Sequence, residues 1–303
     1  MVQTCFAKKN FTFKQIFLIM KQGIITTNDV LINRGVFIRS ILFSAGAFVL
    51  RNYNMAATGI APNDILVRMI YNNSGSASGY RKEWGLAIWI EKDEKAVLFD
   101  TGGNPETFWK NFQAAGIDLS KLSAIVISHN HWDHTRGIQV MMDKITTQTD
   151  LYVPASDIPE IKNPGPLVTI KPVSAAQEIT DFLWSTGELK GSLGINMVFE
   201  QSVIIIQTNK VFLFTGCAHP GIIEIVERTR ALHPGKNINL AAGGFHLIDK
   251  SAEQVQKISD TLKLLDVKAI APSHCTGDKA IELLRSEWKE QFLEFNIGDV
   301  LNI

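Results

Sequence analysis

The stretch AIVISHNHWDHTRG, residues 124–137, places three of the chain's seven histidines and one aspartate within six residues. The β-branched apolar run at its start predicts a buried strand that ends where the histidines begin. His129 and His131, two positions apart at a strand end, can direct both imidazoles at one point, and Asp133 and His134 can serve an adjacent point. Imidazole nitrogen and carboxylate oxygen are the ligands that zinc and similar divalent ions favour. The stretch therefore predicts a metal site.

Three more histidines follow the ends of other apolar runs, in the segments TGCAHPG, AAGGFHL and PSHCTG. These residues are His219, His246 and His274, and each lies in a loop with glycine or proline. Loops after strands are where α/β folds place their sites. The first cluster holds more candidate ligands than one ion normally draws from a single loop, so we expect further ligands from these segments. Only His233, at the end of a predicted helix, fits a purely structural role.

The composition disfavours several other function classes. The 303 residues suffice for one large domain or two small ones, and the formal net charge of zero gives no electrostatic reason to expect nucleic acid. The three cysteines, Cys5, Cys217 and Cys275, do not make a disulfide framework. The sequence contains neither a G-x-S-x-G nucleophile motif nor a G-x-x-x-x-G-K-[ST] phosphate loop.

The N-terminal segment has the pattern of an export signal. NRGVFIR, residues 33–39, is basic and leads into the uncharged run SILFSAGAFVL, residues 40–50. That run is too short to span a bilayer as a helix but suits the apolar core of a signal peptide. NMAA, residues 54–57, offers small residues for cleavage. The arrangement resembles a twin-arginine signal in which Gly35 replaces the second arginine.

This pattern divides the chain into an N-terminal extension, residues 1–57, and a metal-binding domain, residues 58–303. An exported protein would be periplasmic, without stable membrane association after processing of the signal. The alternatives are a frayed N-terminal helix, or an upstream extension before a translation start at Met20 or Met55, and a start at Met55 would leave a cytoplasmic enzyme.

From Ile65 onward, short β-rich runs alternate with helical ones, a pattern typical of sheets covered by helices. The predicted strands are Ile65–Tyr71, Leu86–Glu91, Ala96–Asp100, Ala124–Ser128, Val203–Thr208 and Val211–Thr215. The predicted helices are Pro105–Ala115, Thr135–Lys144, Gly221–Leu232, Ala252–Leu265 and Asp278–Glu287. We expect a hairpin turn at Asn209-Lys210 and a helix N-cap at Ser251.

These motifs carry a family resemblance. SHNHWDH fits the H-x-H-x-D-H signature of the metallo-β-lactamase superfamily, LFDTG fits its first strand motif, and His274 fits its last ligand. TGCAHPGI, GGFHL and SHCTG resemble the branch that includes archaeal dihydropterin–ribofuranosylaminobenzene phosphate synthases and metal-dependent hydrolases. The resemblance runs from about Ile65 to the C-terminus. It implies an α/β fold, the four-layer αβ/βα sandwich, with two metals at one edge of the sheets.

The resemblance also implies a role for each candidate residue. The implied ligands are His129, His131 and His219 for a first metal, and Asp133, His134 and His274 for a second. Asp100 is expected behind the ligands, where it fixes an imidazole by hydrogen bonding.

Cys217 stands where many superfamily members carry a bridging aspartate, and it is either a thiolate ligand or a small buried apolar residue. Without a bridging carboxylate, a single metal is an alternative. His246 has no place among the six ligands and is interpreted as a substrate-facing or proton-transfer residue.

Two further positions depart from the branch. Trp84 stands where the branch often has histidine, and Arg136 stands where relatives often have glycine. Both changes predict an altered substrate pocket.

The implied function is metal-dependent hydrolysis of a phosphoester or another ester-like small molecule. Two zinc ions, or alternatively manganese or iron, would provide a metal-bound hydroxide. Asp133 would orient this nucleophile and His246 would protonate the leaving group.

One alternative is a transferase that joins a dihydropterin to an arylamine with loss of pyrophosphate, and another is a non-catalytic metal-binding module. A nuclease is disfavoured because the chain lacks a basic balance and the length for a nucleic-acid-binding insertion. The oligomeric state stays open.

Overall fold

The computed structural model describes residues 64–303. The predicted extension, residues 1–57, and the predicted export signal lie outside the described residues. No helix in the described part of the chain has the length and apolar character needed to cross a membrane.

The described residues alternate between strands and helices. The strands are β1 Ile65–Tyr71, β2 Ala87–Lys92, β3 Lys95–Phe99, β4 Leu122–Val126, β5 Thr149–Pro154, β6 Val168–Val173, β7 Gln177–Thr180, β8 Leu183–Ser185, β9 Leu189–Leu193, β10 Asn196–Glu200, β11 Val203–Gln207, β12 Lys210–Thr215, β13 Asn237–Gly244, β14 Ile270–Ser273 and β15 Val300–Asn302. The helices are α1 Pro105–Ala114, α2 Trp132–Thr135, α3 Ile138–Met142, α4 Ile222–Leu232, α5 Ala252–Leu264 and α6 Asp278–Trp288.

The strands form two large mixed sheets and one small hairpin. The first sheet has the order β15-β1-β2-β3-β4-β5-β6, and the second has the order β14-β13-β12-β11-β8-β7. Among residues 64–303, strands β9 and β10 pair only with each other. Within the first sheet β3, β4, β5 and β6 run parallel, and within the second β12, β13 and β14 run parallel. Parallel strands place their carboxyl ends, and the loops that follow, at one edge of each sheet.

The two sheets pack face to face around an apolar layer. Alternate residues of each strand point into it, among them Val67 and Phe99 from the first sheet and Phe214 and Leu240 from the second. All four side chains are buried. This alternation follows from the two-residue period of a strand, and the intervening residues face outward onto the helices.

A helical layer covers the outer face of each sheet. On the first sheet, Trp89 packs with Phe112 of α1 and Met141 of α3 in one cluster. On the second sheet, Leu213 belongs to a cluster that includes α4, α5 and Trp288 of α6. The order helix, sheet, sheet, helix confirms the predicted four-layer αβ/βα sandwich.

The predicted strands and four of the five predicted helices are confirmed within two residues at their ends. The prediction of a single helix over Thr135–Lys144 is wrong, because two short helices, α2 and α3, occupy this region. The carbonyl of His134 accepts hydrogen bonds from the backbone N–H and the hydroxyl of Thr101, so α2 ends there.

The hairpin turn also lies one residue earlier than predicted, since Gln207 pairs with Lys210 across it. Ser251 caps α5 in a reciprocal capping box with Gln254, as predicted.

Candidate metal centre

Three histidines from two strand-end loops meet at one point of the sandwich. His129 and His131 follow β4, and Nε2 of His129 lies 2.9 Å from Nδ1 of His131. His219 follows β12, and its ring centroid lies 4.8 Å from that of each of the other two. Two imidazole ligands of one tetrahedral zinc have donor atoms about 3.3 Å apart. The structure therefore brings together the three residues predicted for the first metal.

A second group lies directly beside the first. Asp133 Oδ2 is 3.3 Å from Nε2 of His274 and 3.8 Å from Nε2 of His134. The centroid of the His134 ring is 5.1 Å from that of His274 and 4.2 Å from that of His129. The three residues predicted for the second metal thus surround a second point, with His129 and His134 in contact between the two groups.

The histidines of the first group offer neutral donor atoms. Both ring nitrogens of His219 are buried without a hydrogen bond within residues 64–303. Burial and the neighbouring imidazoles lower the pKa of His219 to about 3. The same two causes hold the pKa of His129 well below its ordinary value. A buried lone pair without a partner is costly, and a divalent cation is the group that satisfies several at once. The residues present therefore fit a metal ion.

The carboxylates provide negative charge at this point. Burial raises the pKa of Asp133, but a hydrogen bond and the charges of His274 and His134 outweigh burial and lower it well below its ordinary value. Burial lowers the pKa of His134, but the adjacent carboxylate of Asp100 outweighs it and raises the pKa to about 9. Asp133 is therefore ionised, and His134 binds either a proton or a cation tightly.

Asp100 and Ser128 form a buried network behind the histidines. Asp100 Oδ2 lies 2.6 Å from Nδ1 of His134 and accepts a hydrogen bond of 2.7 Å from the hydroxyl of Ser128. Its Oδ1 accepts from the backbone N–H of Ser128. The same hydroxyl lies 2.9 Å from Nδ1 of His129. With Nδ1 protonated on both rings, each Nε2 presents its lone pair to the metal positions.

Glu200, at the end of β10, positions the loop that carries Cys217 and His219, and no sequence motif points to it. Its carboxylate accepts hydrogen bonds of 2.7–2.8 Å from the backbone N–H groups of Cys217, Ala218 and His219. Burial raises the pKa of Glu200 to about 7, against the effect of these donors. The sequence around Glu200 does not indicate its role, because the backbone groups that it contacts lie 17 to 19 positions away in sequence.

The β12 loop approaches β4 closely, and this requires Gly216. A Cβ atom there would come within 2.2 Å of the Ser128 hydroxyl oxygen. The close approach places Cys217 and His219 beside the histidines that follow β4.

Residues of two other loops surround His274. Asn73 Oδ1 lies 2.9 Å from Nδ1 of His274, and Asn73 Nδ2 donates to its backbone carbonyl. The ring of Trp84 lies 5.0 Å from that of His274 and is about a third exposed. No sequence motif points to Asn73, which is 201 positions from its partner.

His246 and the two buried cysteines complete the surroundings. The His246 ring is half-buried, with its centroid 4.4 Å from that of His219. A side-chain hydrogen bond with Cys275 raises the pKa of His246. Cys217 Sγ lies 3.2 Å from Nε2 of His134, and burial raises the pKa of this thiol.

Comparison with known proteins supports this geometry. The model of the metallo-β-lactamase superfamily matches residues 85–274, more than half of the chain. A 7,8-dihydropterin-6-methyl-4-(β-D-ribofuranosyl)-aminobenzene-5'-phosphate synthase of Methanocaldococcus jannaschii is 26% identical over 272 residues, which cover 75% of this chain and 92% of the synthase. An uncharacterised protein of the same archaeon is 24% identical over 266 residues, 78% of this chain and all of that protein.

Solved structures show the same fold. Tm1679, described as a metal-dependent hydrolase of the β-lactamase superfamily, aligns with a TM-score of 0.65 at 24% identity and covers 79% of this chain and 99% of its own. A diphosphatase from the PhnP family aligns with a TM-score of 0.51 at 14% identity, over 79% of this chain and 97% of its own. By family match and fold, the chain belongs to the metallo-β-lactamase superfamily.

Proposed function

We propose that this protein is a metal-dependent hydrolase that binds two zinc ions and cleaves a phosphoester or another ester-like small molecule. The observation that carries the proposal is the convergence of buried histidines at two adjacent points, where both ring nitrogens of His219 are unpaired and Asp133 Oδ2 lies 3.3 Å from Nε2 of His274. When bound, zinc supplies Lewis acidity to the attacking water and to the leaving group. Manganese and iron are the alternatives for the same donor set.

The position of each residue indicates its role in metal binding or proton transfer. His129, His131 and His219 would hold one ion, and Asp133, His134 and His274 the other. Asp133 faces both His134 and His274, and a carboxylate in this place can also orient the attacking water. His246 lies beside His219 and is partly open to solvent, so it would donate a proton to the leaving group.

A cleft at α2 suits an anionic, partly aromatic substrate. It is lined by Trp132, Arg136 and Lys162, together with the acidic Glu160. The Arg136 guanidinium lies 4.9 Å over the Trp132 ring, and about half of the Trp132 side chain is exposed. A cation and an aromatic face in one cleft suit a phosphate joined to a ring system.

A transferase is the second candidate, and the synthase relative favours it. In that reaction an arylamine nitrogen would attack the carbon that carries the pyrophosphate, the C–N bond would form and the C–O bond would break. The same residues would hold the metals and stabilise the leaving pyrophosphate.

Product analysis separates the candidates. The full chain, loaded with zinc, is incubated in ¹⁸O-labelled water with phosphodiesters, phosphomonoesters and lactones, and separately with a dihydropterin pyrophosphate and an arylamine. Label in the product supports the hydrolase, whereas a new C–N bond supports the transferase. Bound zinc without turnover in either panel would support a non-catalytic module and contradict the proposal.

Two matched histidine variants complete the test. We expect His131→Ala to lose both bound zinc and activity. His233→Ala is the control, because His233 packs edge-on against Trp184 at the C-terminal end of α4. Full zinc content and full turnover in His131→Ala would refute the ligand assignment.

A further inference from the structure

Cys217 belongs to each of the three groups of side chains in residues 64–303 that could hold a metal ion, the third being Cys217, His246 and Cys275. Donor atoms of His129, Cys217 and His219 all lie within 4.8 Å of one another, and so do those of His134, Cys217 and His274. Sγ of Cys217 is therefore common to both groups, and it lies 3.2 Å from Nε2 of His134. Sulfur and nitrogen ligands of one tetrahedral zinc are about 3.6 Å apart, so this spacing suits two ligands of the same ion.

A second observation comes from the histidines on either side of this sulfur. His219, in one group, is buried with both ring nitrogens lacking a hydrogen bond in residues 64–303. His274, in the other group, is buried, and its Nε2 lies 3.3 Å from the carboxylate of Asp133. The same sulfur thus adjoins unused nitrogens in one group and a carboxylate in the other, and both kinds of atom are donors for a divalent ion.

The backbone fixes the position of the sulfur. The N–H of Cys217 donates to Glu200 Oε1 at 2.8 Å, and Gly216 allows the loop to approach Ser128. Cys217 is 3% exposed, so the side chain is not free to move out to solvent. This support is independent of the histidine rings.

From this geometry we propose that Cys217 is a thiolate ligand shared by the two metal ions, in the place where the superfamily resemblance implies a bridging aspartate. The inference rests on the proposed metal centre and adds a ligand to it. On binding, the metals replace the thiol proton, which passes to solvent, and no electron is transferred. The thiolate adds a second negative charge to that of Asp133, the only anion among the six predicted ligands.

Cobalt substitution tests directly whether the sulfur of Cys217 coordinates the metal. The metal-free full chain is titrated with Co²⁺ while the thiolate-to-cobalt charge-transfer absorption in the near ultraviolet is recorded. We expect this band to grow through the first and second equivalents, because one sulfur touches both ions. The double variant Cys5→Ser/Cys275→Ser, which keeps Cys217 as its only thiol, retains the band. Cys217→Ser loses it.

The outcomes distinguish this inference from the proposed function. Failure to bind cobalt in the unsubstituted chain would contradict the metal centre itself. Bound cobalt without a band that depends on Cys217 would overturn the inference and leave the metal centre intact. A band that saturates at one equivalent, while a second ion binds, would show a ligand of one ion only and overturn the sharing. X-ray absorption of the unsubstituted zinc protein provides a check that needs no variant, with a Zn–S distance of about 2.3 Å expected.

Discussion

Replacing Asp100 with asparagine should weaken the second metal site without removing a ligand. The carboxylate can only accept hydrogen bonds, so Nδ1 of His134, 2.6 Å away, carries the proton and Nε2 keeps its lone pair. In Asp100→Asn, the amide oxygen can still accept from the backbone N–H of Ser128, which leaves the amide nitrogen facing His134. That nitrogen donates to Nδ1, and the imidazole proton moves to Nε2, the atom that faces Asp133 and Cys217.

The magnitude follows from the loss of this orienting contact. Replacing the partner that sets the tautomer of a metal-binding histidine typically weakens metal affinity by about 10–100-fold, which corresponds to roughly 1.4–2.7 kcal/mol. We expect the loss in the second equivalent of zinc. The first equivalent should change less, because Nδ1 of His129 bonds to the Ser128 hydroxyl and reaches Asp100 only through that hydroxyl.

Competition between the protein and a chromophoric chelator, at one and two equivalents of zinc, measures both affinities. The matched control is Asp118→Asn, since Oδ1 of Asp118 also accepts from the N–H and hydroxyl of a serine, Ser120, but at an exposed site. If Asp100→Asn binds its second zinc as tightly as the unsubstituted chain, the tautomer argument is wrong.

The remaining predictions concern the scaffold. Phe214→Ala opens a cavity between the two sheets, where Phe214 is fully buried, and should lower the free energy of unfolding by about 3–5 kcal/mol in urea denaturation. Ser251→Ala removes a capping box and should cost about 1 kcal/mol in the same assay, whereas an unchanged midpoint would show that the cap contributes nothing. Gly85→Ala brings a Cβ within 2.4 Å of the Asp133 carbonyl oxygen at a φ of +139°. This strain, about 1–3 kcal/mol, should reduce stability and zinc binding together, and a change in neither quantity would contradict it.

Of the fifteen strands and six helices in residues 64–303, the sequence predicted six strands and four helices, because their buried faces are strongly patterned. β4 and β12 are mostly apolar, and a histidine follows the end of each within four residues, so the strand ends and candidate ligands were visible together. Strands β6, β7 and β9 gave no such signal, because their residues are mostly half-exposed and mixed in character. The pairing of β15 with β1 was also hidden, since it joins the two ends of the described chain.

The ligands of the candidate site were easier to predict than the residues that position them. A histidine after a strand is informative because of its chemistry. Glu200 and Asn73 carry ordinary side chains, and they matter only through contacts with distant backbone and ring atoms. Such contacts arise from the approach of the two sheets, and no local pattern in either segment records them.

The central claim is that side chains from several strand ends hold two metal ions, and anomalous X-ray diffraction at the zinc absorption edge tests it most directly. For crystals of the zinc-loaded full chain, we expect two anomalous peaks, one among His129, His131 and His219 and the other among Asp133, His134 and His274. Data that show no anomalous peak within this cluster, from crystals grown with excess zinc, would contradict the claim.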